Sequence, residues 1–310
     1  MSPTYEQAAP APVSARVSLQ RCGAALLCLG LFTVSAFAQS KIPVVATFSI
    51  LGDFARVVGG GRIDLTTLVG PDGDAHVYQP TPADAQKLSG AKLVITNGLG
   101  FEGWIERLTQ TSATKARFVA ASAGVTPRQS ASGHAGLDPH AWQNIANAKT
   151  YVTNIRDALD AVDPEGKGEY DANSAAYLAA LDKVEVEIRA AIASIPPARR
   201  RAVSTHDAFG YFWSAYGLTM LAPQGVSTDA EPNAQDLAKL IRFIRAEKVP
   251  AVFLENVTDP RQIKRIAAEG GAKVGGTLYS DALSQPGGPA ATYLDMMRGN
   301  AHVLAEGLRP

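Results

Sequence analysis

The sequence predicts an α/β protein in which two β-α lobes with mainly parallel sheets are joined by one long helix. Three observations carry this. Between residues 43 and 120, strand-length apolar runs alternate with helix-length segments, the grammar of parallel β-α units. An unbroken helical period then fills residues 170–195, where Tyr177, Leu178, Leu181, Val184, Ile188, Ile192 and Ile195 recur at helical spacing. From residue 202 the alternation restarts. A chain of 310 residues fits two domains at roughly 100–200 residues each. With 46% hydrophobic and 19% charged residues it has ample material for a core, and it is not composed like a disordered chain. Equal numbers of basic and acidic residues, 29 each, leave no electrostatic footprint for nucleic acid.

The elements follow in order. Strands are expected at residues 43–48 (PVVATF), 64–69 (DLTTLV), 92–97 (KLVITN) and 117–120. Helices are expected at 51–58, closed by three glycines, at 81–88, opened by Thr81-Pro82, and at 101–108. Residues 122–137 are rich in Ser, Gly and Ala without periodicity and read as a mobile loop. Helix 144–162 is broken by Asp163-Pro164-Glu165-Gly166, and the long helix at 170–195 ends at Pro196-Pro197. The second lobe has strands at 202–205, 219–222, 251–254 and 273–278, with helices at 209–216, 234–247, 260–269 and 290–306. The division is 39–145 for the first lobe, 146–198 for a helical region with the linker helix, and 199–310 for the second lobe.

Residues 1–38 are set apart as a cleavable secretory signal. Arg16 and Arg21 precede the apolar stretch 22–34, and Ala36-Phe37-Ala38 places small residues at the −3 and −1 positions. The stretch is shorter than the roughly 20 residues that span a bilayer. Neither Cys22 nor Cys28 has a small residue just before it, so a lipoprotein signal is not expected, and a periplasmic protein without lipid is. Both cysteines leave with the signal. Any metal site must then be built from histidine and carboxylate.

Gly98, Gly100 and Gly103 spell G-x-G-x-x-G, but after the third strand and with no acid in 118–125, so a tight strand-to-helix turn is expected rather than a dinucleotide site. The histidines are more informative. His76, His140 and His206 lie beside acids or proline at strand or loop ends, as Asp74-Ala75-His76, Asp138-Pro139-His140 and His206-Asp207. Asp281 follows the last strand in the same way. Ligands of open α/β sheets gather outside the carboxyl ends of strands, so these four could converge on the cleft. Three imidazoles and one carboxylate would satisfy a four-coordinate divalent ion. Asp207 and Asp138 could orient imidazoles or cap helices. Glu255, at a strand end, reads as a buried group behind the site or an internal hydrogen-bond partner. His302 reads as surface, and Arg199-Arg200-Arg201 as a solvated run.

Taken together, the segments 47–60 (TFSILGDFARVVGG), 70–82 (GPDGDAHVYQPTP), 91–102 (AKLVITNGLGFE), 138–142 (DPHAW), 205–211 (THDAFGY), 250–256 and 281–284 (DALS) resemble the periplasmic solute-binding proteins of zinc and manganese ABC importers. The resemblance implies a rigid linker helix, metal in the interlobe cleft, and His76, His140, His206 and Asp281 as its ligands. It implies capture of divalent metal, zinc first and manganese as the alternative, and delivery to an inner-membrane ABC permease by a monomer that is not an enzyme. Manganese members commonly have a carboxylate at the third position, where this chain has His206. Two features depart from zinc-specific members. The loop at 122–137 is short and holds only His134, which reads as a spectator or as the contact for a periplasmic zinc metallochaperone. A disulfide found in some second lobes cannot form here. A zinc hydrolase is the competing reading, but no H-E-x-x-H motif is present, and four protein ligands leave no open position for water.

Overall fold

The computed structural model describes residues 40–129, 136–230 and 232–310. The signal-peptide expectation for 1–38 and the readings of His134 therefore fall outside the described residues. The first sheet is built from β1 (Ile42–Phe48), β2 (Ile63–Val69), β3 (Leu93–Thr96) and β4 (Arg117–Ala120) in the order β2-β1-β3-β4, every pair parallel. The second contains β5 (Arg201–Val203), β6 (Thr219–Leu221), β7 (Ala251–Glu255) and β8 (Lys273–Leu278) in the order β6-β5-β7-β8, again all parallel. The central strands β1, β3, β5 and β7 are apolar over nearly their whole length because both faces are covered.

Helices α1 (Ser49–Gly59), α2 (Pro82–Gly90) and α3 (Ile105–Ser112) belong to the first lobe. Thr81 caps α2 in a reciprocal pair with Asp84, with Pro82 in the first turn. Then come α4 (Ile145–Val162) and the 27-residue α5 (Lys167–Ala193). The second lobe carries α6 (Gly210–Tyr216), α7 (Ala234–Ala246), α8 (Pro260–Gly270) and α9 (Tyr293–Leu308). α5 packs against α1, α4 and α9, so it is held along its length by both lobes. Its buried face carries Tyr170, Tyr177, Leu181, Val184, Ile188 and Ile192. One large apolar core runs through both lobes and these helices. A smaller one, including Val203, Leu240, Ile244, Val252 and Ile263, holds α7 and α8 on the second sheet.

Helix α3 begins four residues later than the sequence pattern placed it. Gly98, Leu99 and Gly100 all have positive φ, 83°, 55° and 80°, so the chain leaves β3 through a left-handed turn, made by the first two glycines of the motif and the residue between them. Phe101 and Glu102 are turned inward instead of starting the helix. The arginine run is not simply solvated. Arg199 donates to the carbonyls of Leu308 (2.6 Å) and Arg309 (2.7 Å), Arg200 donates to that of Ile195 (3.0 Å), and Arg201 pairs with Glu247. His302 lies exposed on α9, as expected. No helix among the described residues is long and apolar enough to cross a membrane.

Candidate metal centre

Four chain segments meet between the sheets. His76 follows β2, in the loop before α2, and His140 lies in the loop before α4. His206 leaves β5, and Asp281 leaves β8. The structure brings all four together: one ligand atom from each lies within 4.8 Å of every other. His76 Nε2 is 3.3 Å from His140 Nε2 and 3.3 Å from Asp281 Oδ2. His206 Nε2 is 3.1 Å from Asp281 Oδ2, and His140 Nε2 is 3.5 Å from Asp281 Oδ1. The four side chains are buried or nearly so.

Each group is held from behind. The His76 amide donates to Asp74 Oδ1 (2.9 Å), whose other oxygen accepts from Thr228 Oγ1 (2.6 Å), and Trp104 Nε1 donates to the neighbouring Ala75 carbonyl (2.8 Å). Asp138 Oδ1 accepts from the His140 amide (3.0 Å) and lies 2.9 Å from His140 Nδ1, so Asp138 has the orienting role of the two expected for it. Asn97 fixes that loop by donating to the Pro139 carbonyl (2.9 Å). His206 Nδ1 lies 2.6 Å from Glu255 Oε2, while Glu255 Oε1 accepts from the Thr205 and His206 amides. The carboxylate behind His206 is therefore Glu255 and not the adjacent Asp207, whose amide goes to the Gly225 carbonyl. Trp142 and Gln143 both donate to the Ser280 carbonyl, which fixes the backbone beside Asp281.

The first lobe's side of the site is aromatic. Phe101 meets His76 edge-on at 4.6 Å between ring centroids, Trp142 meets His140 at 5.3 Å, and Phe48 lies behind both. This dry wall and the buried carboxylates set the electrostatics. Burial raises the Asp281 pKa, but the His206 and His140 imidazoles outweigh it, and the carboxyl is held well below its ordinary range. Burial favours neutral His206, yet Glu255 and Asp281 outweigh it and raise its pKa well above the usual value. For His76 burial wins, against the pull of Asp281, and its pKa is lowered. The cleft thus has a net appetite for positive charge between Glu255 and Asp281.

Among the described residues, both oxygens of Asp281 and Nε2 of His206 are buried without a hydrogen-bond partner. Orphaned polar atoms of this kind are costly unless something else satisfies them. A divalent ion fits the need: it would be met by lone pairs from three imidazoles and by a carboxylate. Glu102, Phe101, Trp142 and Arg128 were not singled out in the sequence, because their parts depend on contacts that no local pattern announces.

Known proteins resemble this chain over most of its length. A family described as zinc-uptake complex component A, periplasmic, matches residues 44–307. The manganese-binding lipoprotein MntA of Halalkalibacterium halodurans is 33% identical over 268 residues, covering 86% of this chain and 88% of that protein. The manganese ABC transporter substrate-binding lipoprotein PsaA of Streptococcus pneumoniae is 32% identical over 287 residues, covering 89% and 92%. Among solved structures, the periplasmic zinc-binding protein TroA of Treponema pallidum aligns with a TM-score of 0.82 at 31% identity, over 87% of this chain and all of that one. These relatives correct one expectation. MntA and PsaA are both named lipoproteins, which overturns the reading of an exported protein without lipid. That reading rested only on the residue before each leader cysteine. An extracytoplasmic location fits the family description.

Proposed function

This chain belongs to the zinc-uptake complex component A family, the metal-binding substrate-binding proteins of ABC transporters, and from that premise we propose that it captures a divalent transition-metal ion through His76, His140, His206 and Asp281 and presents it to a membrane permease and its ATPase. The ion is cargo. A role in binding rather than catalysis follows from the donor set, since four protein ligands close the coordination shell that a hydrolytic zinc must leave open. A metallochaperone is not part of this reading.

The observation that carries it is the convergence of four side chains from four loops, with Asp281 and His206 Nε2 buried and orphaned. Zinc is the ion we assign. Ligand atoms about 2.0–2.1 Å from a tetrahedral centre stand roughly 3.3–3.4 Å apart. With Asp281 binding through Oδ2, three of the separations, 3.1, 3.3 and 3.3 Å, lie close to that figure. Three imidazoles also suit zinc, which outranks manganese in general affinity. A second reading, manganese, has its own support: both Asp281 oxygens face imidazoles, so the carboxylate can bind through two atoms and supply the oxygen donors manganese favours. MntA and PsaA are named for that metal. Metal analysis of protein purified without added metal, followed by zinc–manganese competition, tests both. Zinc tighter than manganese is expected. Equal affinity would favour the second reading, and no binding of either ion would overturn the function.

A further inference from the structure

Asp138 faces two ways. Its Oδ1 holds His140, accepting from the amide and lying against Nδ1 at 2.9 Å, which leaves Nε2 with its lone pair toward the cleft. Its Oδ2 is buried, has no hydrogen bond among the described residues, and lies 3.3 Å from Arg128 Nε, which is likewise buried and orphaned. Arg128 comes from the chain beyond β4, and its carbonyl accepts from the Asp138 amide (2.9 Å). The rest of Arg128 belongs to the other lobe. Its amide donates to Tyr211 Oη (3.1 Å), its guanidinium donates to the Gly210 carbonyl and lies 3.4 Å from Ser214 Oγ, and its Cζ stands 5.6 Å from the Tyr211 ring centroid. All three partners lie on α6.

The first residue of α6 is shaped for this contact. A Cβ on Gly210 would lie 2.8 Å from Arg128 Cζ and 2.9 Å from Nε, and closer still to Asp138 Oδ2. The position is not in the left-handed region, so backbone freedom does not call for glycine there. Space does: a side chain there would push the Arg128 guanidinium and the Asp138 carboxylate out of their places against α6.

We propose that Arg128 is a positioning residue which, through Asp138, couples the seating of α6 to the orientation of the His140 imidazole, so that contact between the lobes presets one metal ligand. Seated on α6, the guanidinium holds Asp138, and Asp138 holds Nδ1. Unseated, Asp138 loses its counter-charge and His140 its fixed tautomer, and the ion loses a prearranged donor. The inference rests on His140 being a ligand.

The test uses the full mature protein and zinc as probe, with Arg128→Met and Gly210→Ala. Gly210→Ala keeps every charge and every proposed ligand. Three quantities are read: chelator-driven zinc release, the melting temperature without metal, and the His140 tautomer by 15N NMR of the metal-free protein. Both variants should release zinc at least fivefold faster, with Nδ1–H of His140 giving way to a tautomer mixture, and Arg128→Lys should fall between them and the parent. A lower melting temperature with release rate and tautomer unchanged would overturn the proposal. If the parent binds no zinc, the function reading fails instead, and the tautomer alone then decides the coupling. Should Gly210→Ala not fold, Arg128→Met, at a partly exposed side chain, gives the same reading.

Discussion

Each lobe ties the ends of its two central strands with one buried carboxylate, and the two carboxylates serve different ends. In the first lobe Glu102 accepts from the Asn97 amide at the end of β3 (2.6 Å) and from Thr47 Oγ1 on β1 (2.6 Å). In the second, Glu255 at the end of β7 accepts from the Thr205 and His206 amides beyond β5 (2.7 and 2.9 Å). The sheets have matching strand orders, and each carboxylate bridges the two middle strands, Glu255 from the end of β7 and Glu102 from the loop beyond β3. What differs is the neighbour. Glu255 turns its second oxygen to an imidazole, while Glu102 is met by Thr47 and the Asn97 amide, with Phe48 and Phe101 as the chain neighbours of Thr47 and Glu102. Repetition of topology fixes where a carboxylate can stand, and the side chain opposite decides whether it serves the fold or the site.

The largest expected effect breaks the polar half of this comparison at its centre. Asp281→Asn removes the charge that all three imidazoles face, and zinc affinity should fall at least a hundredfold, about 2.8 kcal/mol, by competition with a chromophoric chelator. A loss under tenfold would mean that the ion sits elsewhere. His206→Ala should weaken zinc at least tenfold, about 1.4 kcal/mol. His206→Glu should narrow the zinc–manganese gap by replacing a nitrogen donor with oxygen. An unchanged ratio in that variant would show that the third position does not set metal choice.

The comparison itself is sharpened by matched substitutions. Glu255→Gln should cost about tenfold in zinc affinity, the lower end of what losing a partner behind a metal-binding histidine costs. Glu102→Gln should change it by less than about threefold, since Glu102 touches none of the proposed ligands. Equal effects from the two would mean that both carboxylates act only through the fold.

Much of this was legible because buried parallel strands read as apolar runs, and α5 holds six of the seven apolar positions read at helical spacing, the seventh, Ile195, lying just past its end. The four converging residues were legible as a set, each at a strand or loop end, with the family resemblance adding weight. The chain was less readable where long-range contact overrides local pattern. Phe101 and Glu102 continue a helical pattern, yet two left-handed glycines turn them into the core. Asp207 stands next to His206 in sequence, but the carboxylate on the ring comes from Glu255, 49 residues on. Arg128 gave no signal at all, because its meaning depends on α6, more than eighty residues away.

The smallest expected effect concerns the pH dependence of stability and probes Glu102 without any metal. Burial raises the Glu102 pKa above its ordinary 4.5, although hydrogen bonds from the Asn97 amide and Thr47 oppose the rise. A carboxyl with a raised folded pKa holds more protons folded than unfolded across the interval between the two values, so stability falls as pH climbs through it. Asp84 acts with the opposite sign: hydrogen bonds from Thr81, Lys87 and Tyr78 outweigh burial and depress its pKa, so it contributes stability that is lost on acidification. Asp84 is common to the parent and Glu102→Gln, and its contribution cancels in their difference. Urea midpoints of the two metal-free proteins, followed upward from about pH 4.5, should therefore diverge, with the parent losing stability relative to Glu102→Gln as Glu102 ionises in its dry surroundings. Parallel profiles would mean that Glu102 ionises alike folded and unfolded, and the contrast between a carboxylate kept for the fold and one turned to the cleft would lose its energetic basis.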